Sequence, residues 1–481
     1  MATTETAQEY GAVVGGETLT DGEAYEVRSP YDDRLVAVVH RAGPKDIERA
    51  IANAARAFET TRRLPSWKRE EILDRISAGI AARRDELART IALEAGKPMK
   101  VARVEADRAV FTFKVAAEEA KRIYGEIVPL DWLPGNEGRQ AHVRRVPLGP
   151  IAGITPFNFP LNLVAHKVAP ALAAGCPIVL RPASQTPVTA LKLAEIVLES
   201  GWPEDGFACV PSTTRDAGPL VEDDRIKLLS FTGSPAVGWS LKPRAGRKRV
   251  TLELGGNAAV IVHADADADY AAERVTWGST VQAGQTCISV QRVYAHESLA
   301  GFTDLLVERF GKLKVGDPLD DDTDIGPLID ADSADRVEGW LREATAGGAR
   351  ILTGGERDGN VIRPTILTNL HEEMRVSCEE VFAPLVGVYE YADVANAVRA
   401  AGATQFGLQA GLFTNDLRVV DKAFDEIDVG GLMINDVSTF RVDHMPYGGV
   451  KSSGTGREGL RYAIEEMTEL KLLTFNSRGG L

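Results

Sequence analysis

KLLSFTGSPAVGWSLKPRAGRKRVTLELGG, residues 227–256, carries the pattern from which the fold is read. Residues Lys227 to Phe231 make a short β run, the turn Thr232-Gly233-Ser234 breaks it, Ala236 to Leu241 reads as helix, and Val250 to Leu254 is a second β run. A strand, a helix and a strand in this order imply a parallel pair, because parallel strands need a long crossover between them. The alternation extends both ways. Upstream lie the β run Pro177–Leu180, a helix Ala190–Glu199 and the β run Phe207–Val210. Downstream come Ala258–Val262, a helix Tyr270–Gln282, Val290–Ala295, a helix Leu299–Leu313 and further strand–helix pairs to Ile427. This predicts an α/β fold with parallel sheets covered on both faces and a second α/β domain beginning after Leu254. An extended ribbon, 126–133 and 139–146 around Pro134-Gly135-Asn136, interrupts the pattern, and a terminal β run Leu470–Phe475 is expected to pair with it. Such a protruding element has edges that another subunit covers. One long helix is predicted from a Ser66 cap to Gly96, and another over Val104–Ile123.

The chain has 481 residues, a prior of about three domains. Its net charge of −14 repels nucleic acid and anionic membrane. The longest mostly apolar stretch, Val168–Leu180, is broken by Pro170, Gly175 and Pro177 and is shorter than the ~18 residues of a membrane span. Residues Met1–Tyr10 have neither a basic start nor an apolar core, so a cytoplasmic location is expected. The four cysteines lie far apart with no C-x-x-C pair, against a disulfide framework or a cysteine-rich zinc site. Cys176, Cys209 and Cys378 read as small buried hydrophobes.

Four segments hold residues suited to chemistry. Ile154-Thr-Pro-Phe-Asn-Phe-Pro160 sets the Asn158 amide before a helix start, and Thr251-Leu-Glu-Leu-Gly-Gly256 sets Glu253 at a strand tip with two glycines leaving space beside it. Gly284-Gln-Thr-Cys287 places a thiol in a loop after a helix, and Glu379-Glu-Val-Phe-Ala-Pro384 an acidic–aromatic pair before a proline.

These segments, in this order and with Cys287 34 positions after Glu253, resemble the aldehyde dehydrogenase superfamily over about Ala12–Phe475. Phe231–Gly238, Gly316–Asp320 and Pro446–Gly454 are similar to further motifs of that family. The resemblance implies two Rossmann-like parallel-sheet α/β domains plus a small β-ribbon oligomerisation element. The corresponding division is 1–125 with 147–253 for cofactor binding, 254–454 for catalysis, and 126–146 with 455–481 for oligomerisation. The chemistry is consistent with that likeness. Hydride leaves only a tetrahedral carbon, so a nucleophile first adds to the carbonyl, and Cys287 is the candidate thiolate, forming a thioester that water later cleaves. The Asn158 amide and the Cys287 backbone N–H are the donors for the alkoxide, and Glu253 is the general base for water. CoA in place of water would make an acylating enzyme, which a glutamate at 253 argues against; a catalytically silent binding protein would have no need of Cys287, Glu253 and Asn158 together.

The cofactor implied is NADP or NAD, with NADP slightly favoured. Gly233 and Ser234 open a helix whose amides receive a phosphate, and the resemblance adds Thr155, Phe157, Leu254, Glu380 and Phe382 to that site, Glu380 on the nicotinamide ribose. Arg181 and Ser184 depart from the lysine and the ribose-binding glutamate usual in the family. Serine removes a repulsion against the extra phosphate of NADP, and arginine offers it a bidentate partner. The substrate side is read from cations: Arg108, Arg292, Arg441 and His444, with Phe159, suit a small polar or anionic aldehyde, as in relatives acting on lactaldehyde, succinate semialdehyde and phospho- or phosphonoaldehydes. No metal is required. The aspartates from Asp317 to Asp324 lack the glycine and glutamate of a calcium loop, and Gly448–Ser452 lacks the second glycine of a Walker A motif.

Overall fold

The structure, a computed structural model, describes residues 8–477; the amino-terminal stretch Met1–Ala7 and the last residues of the expected oligomerisation element, 478–481, lie outside them. Its first sheet is built on five parallel strands in the spatial order Arg249–Glu253, Leu228–Thr232, Ile151–Ile154, Ile178–Arg181 and Phe207–Cys209. Gly454–Thr455 adds an antiparallel edge on one side, Ala12–Val14 and Glu17–Leu19 on the other. In chain order the first strand is Ile151–Ile154, and the sheet grows one way to Phe207–Cys209 before returning to the other side at Leu228–Thr232. That reversal is a switch point, and the crevice at the carboxyl ends of the two strands flanking it is where open α/β sheets take ligands. Thr155 leaves one of those strands and Gly233 the other.

The second sheet runs Arg350–Thr353, Thr365–Thr368, Leu385–Tyr391, Val290–His296, Ala258–Val262, Gln409–Phe413 and Gly431–Ile434, parallel except at its first pair. Leu228–Thr232 and Ala258–Val262 are buried at every residue, as expected for parallel strands with both faces covered. Thr468–Asn476, Arg139–Pro147 and Glu126–Pro129 form a separate antiparallel ribbon that leaves Leu470, Leu472, Leu473 and Phe475 exposed. Among the described residues no helix is long and apolar enough to cross a membrane.

The long helix expected from Ser66 is two helices, Ser66–Ala82 and Arg84–Ala95, because Arg83 leaves helical geometry (φ −106°, ψ 18°). Ser66 lies inside the first turn and Pro65 is the cap, while Gly96 ends the second helix in the left-handed region as its position predicts. The helix Met99–Glu119 starts five residues before the predicted Val104, directly after Pro98. Cys176 and Cys209 are buried as read, but Cys378 is exposed, at the end of a single helical turn rather than in the core.

Candidate active site

Asn158 and Glu253 come from the first sheet, and Cys287 from the approach to the second. The helix Ala268–Thr280 ends and the chain turns through Gln282 and Ala283, both left-handed (φ 55° and 51°), then Gly284. Left-handed backbone costs a residue with a Cβ about 1–2 kcal/mol, strain that concentrates at functional sites. Gly284 is itself left-handed, and a Cβ there would stand 2.1 Å from the Ala383 carbonyl oxygen. Only glycine fits. The turn brings Cys287 against the segment that follows Glu253, and Gly256 lets the two segments meet: a Cβ on it would lie 2.2 Å from the Cys287 carbonyl oxygen.

Cys287 Sγ opens onto a cavity of about 210 Å³ that Asn158, Phe159, Arg108, Arg441 and Tyr447 also line, with Trp277, Leu163 and Ile288 supplying apolar wall. Asn158 Nδ2 donates to the Gln285 carbonyl at 2.9 Å, which fixes the amide two residues from the thiol. The loop bearing Asn158 is braced from below. Glu105, fully buried on the helix Met99–Glu119, accepts the backbone N–H of Leu161 and Asn162 (3.0 and 3.1 Å) at the start of the helix Asn162–Ala174 and pairs with the buried Lys97. A carboxylate at a helix start is favoured by the helix dipole. Lys97 Nζ stands 3.7 Å from the centre of the Phe159 ring, so the pair also seats that side chain.

Glu253 does not line the cavity. It ends its strand opposite Thr232, buried, with both carboxyl oxygens unpartnered and Oε1 2.9 Å from where a Gly448 Cβ would be. Burial, then the charge of Glu458, pushes its carboxyl well above the ordinary carboxylate range, against Arg441 and Lys167. Lys167 is buried in a mostly apolar helix and donates to Ser230 Oγ (2.9 Å), Thr232 Oγ1 (2.8 Å) and Glu458 Oε1 (3.4 Å). Glu458 is buried too, yet Lys167 and Arg441 overcome that burial and hold its carboxyl at about 2. The dry surroundings of Cys287 push its thiol up to about 12, opposed by a hydrogen bond to Tyr447 and by Arg441.

The two cavity arginines differ. Arg108 is committed to Asp443, whose carboxylate it grips through Nε (3.1 Å) and Nη2 (2.6 Å). Asp443 also accepts from His166 and Asn162; these contacts outweigh its burial and hold the carboxyl well below its usual range. Arg441 has an 8% exposed side chain, donates Nη2 to Glu458 at 3.0 Å, and keeps a buried Nε with no acceptor. Arg292 is not in this cavity: its guanidinium is buried against the carbonyl oxygens of Asn257, Ala400 and Ala401, which makes it a structural tie rather than a substrate group. His444 is exposed, edge-on to Phe111, and outside the cavity lining.

Of the residues expected at the cofactor, Thr155 and Gly233 follow the two strands at the switch point. Ser234 precedes the helix Pro235–Arg244 in extended geometry and makes no side-chain cap, so the first-turn amides there are open to an anion. Thr155 Oγ1 is buried without a partner. Leu254 is buried against Gly238, where a Cβ would stand 2.4 Å from its Cδ2. Glu380 accepts the Gly256 N–H at 2.9 Å, and burial raises its carboxyl to about 7. Phe382, left-handed at φ 53°, meets the Phe157 ring edge-on at 6.0 Å. Gly233 donates its N–H to the Glu253 carbonyl at 3.0 Å and Ser184 is half-buried. Arg181 is at variance with a free bidentate fork: Nε and Nη2 both donate to the Ser212 carbonyl (3.2 and 3.0 Å).

Sequence reasoning assigned no role to Tyr447, Glu458, Lys167, Lys97 or Glu105. Lys167 had a signal, a lone lysine within the mostly apolar run Leu161–Ala174, and Tyr447 lies in the motif Pro446–Gly454; Glu458, Lys97 and Glu105 had none.

The profile described as the aldehyde dehydrogenase family matches residues 18–473. A 3-sulfolactaldehyde dehydrogenase of Priestia aryabhattai is 45% identical over 478 residues, 99% of this chain and 100% of that protein. The crystal structure of aldehyde dehydrogenase 21 from Physcomitrella patens, in complex with the reaction product succinate, superposes with a TM-score of 0.97 at 43% identity, over 99% of this chain and 100% of that one. The glyceraldehyde-3-phosphate dehydrogenase of Methanocaldococcus jannaschii, complexed with NADP, gives 0.92 at 37% identity over 95% of this chain and 100% of that one. By sequence across its length and by fold, this chain belongs to the aldehyde dehydrogenase family and is an oxidoreductase acting on aldehydes.

Proposed function

We propose that the protein oxidises a small anionic aldehyde to its carboxylic acid, with NADP or NAD as oxidant. The observation that carries the anionic reading is Arg441: a buried guanidinium in the wall of the thiol cavity with one N–H lacking an acceptor. A buried donor left unpaired costs about 1–3 kcal/mol, a cost that a carboxylate, sulfonate or phosphate on the substrate would relieve. Arg108, on the same cavity, adds positive potential although its donors face Asp443. Succinate and 3-sulfolactaldehyde, named with two relatives, each carry such an anionic group besides the reacting one.

In this reading Cys287 Sγ adds to the carbonyl carbon. The second N–H of the Asn158 amide, whose first is held by Gln285, and the Cys287 backbone N–H donate to the oxygen as it gains charge. The acceptor for the hydride would be supplied by NAD(P) when bound. Its holders would be the first-turn amides after Ser234, with Gly233, Thr155, Phe157, Leu254, Glu380 and Phe382; the uncapped helix start and the orphaned Thr155 hydroxyl fit an anionic, hydroxyl-rich group. Arg181 and Ser184 would face its adenosine end, with NADP slightly favoured by Ser184. Glu253, ionised, then takes a proton from the water that attacks the thioester, and Lys167 and Glu458 set its charge.

The division into a cofactor part (1–125 and 147–253), a catalytic part (254–454) and an oligomerisation part (126–146 and 455–481) belongs to the same proposal. The apolar side chains exposed along Thr468–Asn476 support a homodimer or homotetramer.

The test is a set of aldehydes of equal length ending in methyl, hydroxyl, carboxylate or sulfonate, assayed with both cofactors. The anionic members should show the higher kcat/KM; equal values for methyl and carboxylate would overturn the anionic reading.

A further inference from the structure

Tyr447 stands between Pro446 and Gly448, 2% exposed, in the wall of the thiol cavity. Its hydroxyl is 2.9 Å from Cys287 Sγ, and among the described residues this sulfur is its one hydrogen-bond partner. The face of the ring is covered: the Arg441 guanidinium carbon lies 3.6 Å from the ring centroid. A cation over the ring draws electron density from the phenol and improves its O–H as a donor.

The direction of that hydrogen bond follows from what each atom can do. Burial keeps the Tyr447 phenol protonated at any pH the enzyme meets. While Cys287 is a thiol, either S–H or O–H can donate. Once the sulfur has lost its proton it only accepts, and Oη–H is the donor within reach. A hydrogen bond to the charged form favours that form. We propose that Tyr447 is a catalytic residue, its hydroxyl donating to the Cys287 sulfur and stabilising the thiolate in a cavity that otherwise disfavours charge. Tyr447 keeps its own proton throughout, and the thiol proton leaves to the medium. This rests on Cys287 being the nucleophile, but it is tested without any aldehyde.

Arg441 also favours the thiolate, while Glu253 and Glu380 oppose it. Glu105 and Arg108 face the same cavity from the helix Met99–Glu119, and Lys167 and Glu458 lie behind Glu253. All of these remain in a Tyr447→Phe variant, so a change on that substitution reports the hydroxyl.

The experiment follows alkylation of Cys287 by iodoacetamide in the purified full-length protein against pH, read by peptide mass spectrometry, with exposed Cys378 as internal reference. Tyr447→Phe should slow Cys287 alkylation about tenfold at neutral pH and move its midpoint upward by about one pH unit, with Cys378 unchanged. A second protein, bearing 3-fluorotyrosine at 447, keeps the ring and has a more acidic phenol; its midpoint should move downward. Superposable profiles for native and Tyr447→Phe would overturn the proposal, as would a lower midpoint in Tyr447→Phe, the sign expected if S–H donates to Oη. If the midpoint shifts as stated but Cys287→Ala still oxidises aldehydes, the nucleophile reading fails and the thiolate–hydroxyl pair stands.

Discussion

Replacing Arg441 separates substrate recognition from the rest of the site. Among the described residues the guanidinium has one hydrogen bond, Nη2 to Glu458 at 3.0 Å, and the stack on Tyr447, while Nε has no acceptor and in this reading serves the substrate. In Arg441→Met an anionic aldehyde loses a charge-assisted hydrogen bond of about 1.5–3 kcal/mol, which at tenfold per 1.36 kcal/mol is about 10- to 150-fold in kcat/KM. A neutral aldehyde of the same length never used that donor. It feels only the weakened stack, about 0.5–2 kcal/mol, and any change in Glu253 as Glu458 falls back on Lys167 alone. Those effects reach both substrates equally and cancel in the ratio. The expected result is therefore a preference for the anionic over the neutral aldehyde that collapses by about one to two orders of magnitude. Arg441→Lys should recover part of it, since lysine supplies charge without the planar fork. Initial rates with paired substrates, at saturating cofactor, give the ratio directly. If both aldehydes lose the same factor, Arg441 is a structural partner of Glu458 and the anion lies elsewhere.

Lys97→Met removes the cation from a fully buried pair, and breaking such a pair costs about 3–5 kcal/mol. Because Glu105 keeps two backbone donors, the loss should fall near the lower end, as a reduced urea midpoint, together with a lower kcat through the loosened Asn158 loop; unchanged values of both would show the brace is idle. Thioester hydrolysis should rise with pH along a limb above the ordinary carboxylate range, since Glu253 works ionised and its carboxyl is pushed up by burial and Glu458. Glu458→Gln removes the like charge, so in rapid-quench measurements the limb should move to lower pH; a limb that stays put or moves up contradicts the coupling. Ser184→Glu should weaken NADP relative to NAD by like-charge repulsion, read from the ratio of their KM values, and an unaltered ratio would remove Ser184 from the adenosine end.

The alternation of strands and helices is legible because buried parallel strands are predominantly apolar, as Ala258–Val262 is and as Leu228–Thr232 is apart from Ser230 and Thr232. The break at Arg83 is not, because the apolar series from Ile72 to Ile91 passes through it: both helices pack on the same core, and periodicity reports the shared face rather than the joint. Cys287 and Asn158 can be picked out as chemistry-bearing residues, and they do line one cavity. The charges around Glu253 are hidden, since Glu458 in Gly456-Arg457-Glu458 looks like a solvated turn until Lys167 arrives from a segment far away in the chain and the loop folds Arg441 back onto it. Arg292 shows the opposite error: a cation near a site motif reads as a substrate group, and only the three carbonyl oxygens around it reveal a tie between elements.

In the proposed reaction Cys287 carries the acyl group and Glu253 releases it. This is tested most directly by mixing Glu253→Gln with aldehyde and NAD(P) and following reduced cofactor and protein mass together. The expected outcome is a single burst of about one reduced cofactor per active site, slow turnover afterwards, and an acyl mass on the peptide containing Cys287. Steady turnover without a burst, or an acyl group on any other residue, would contradict it.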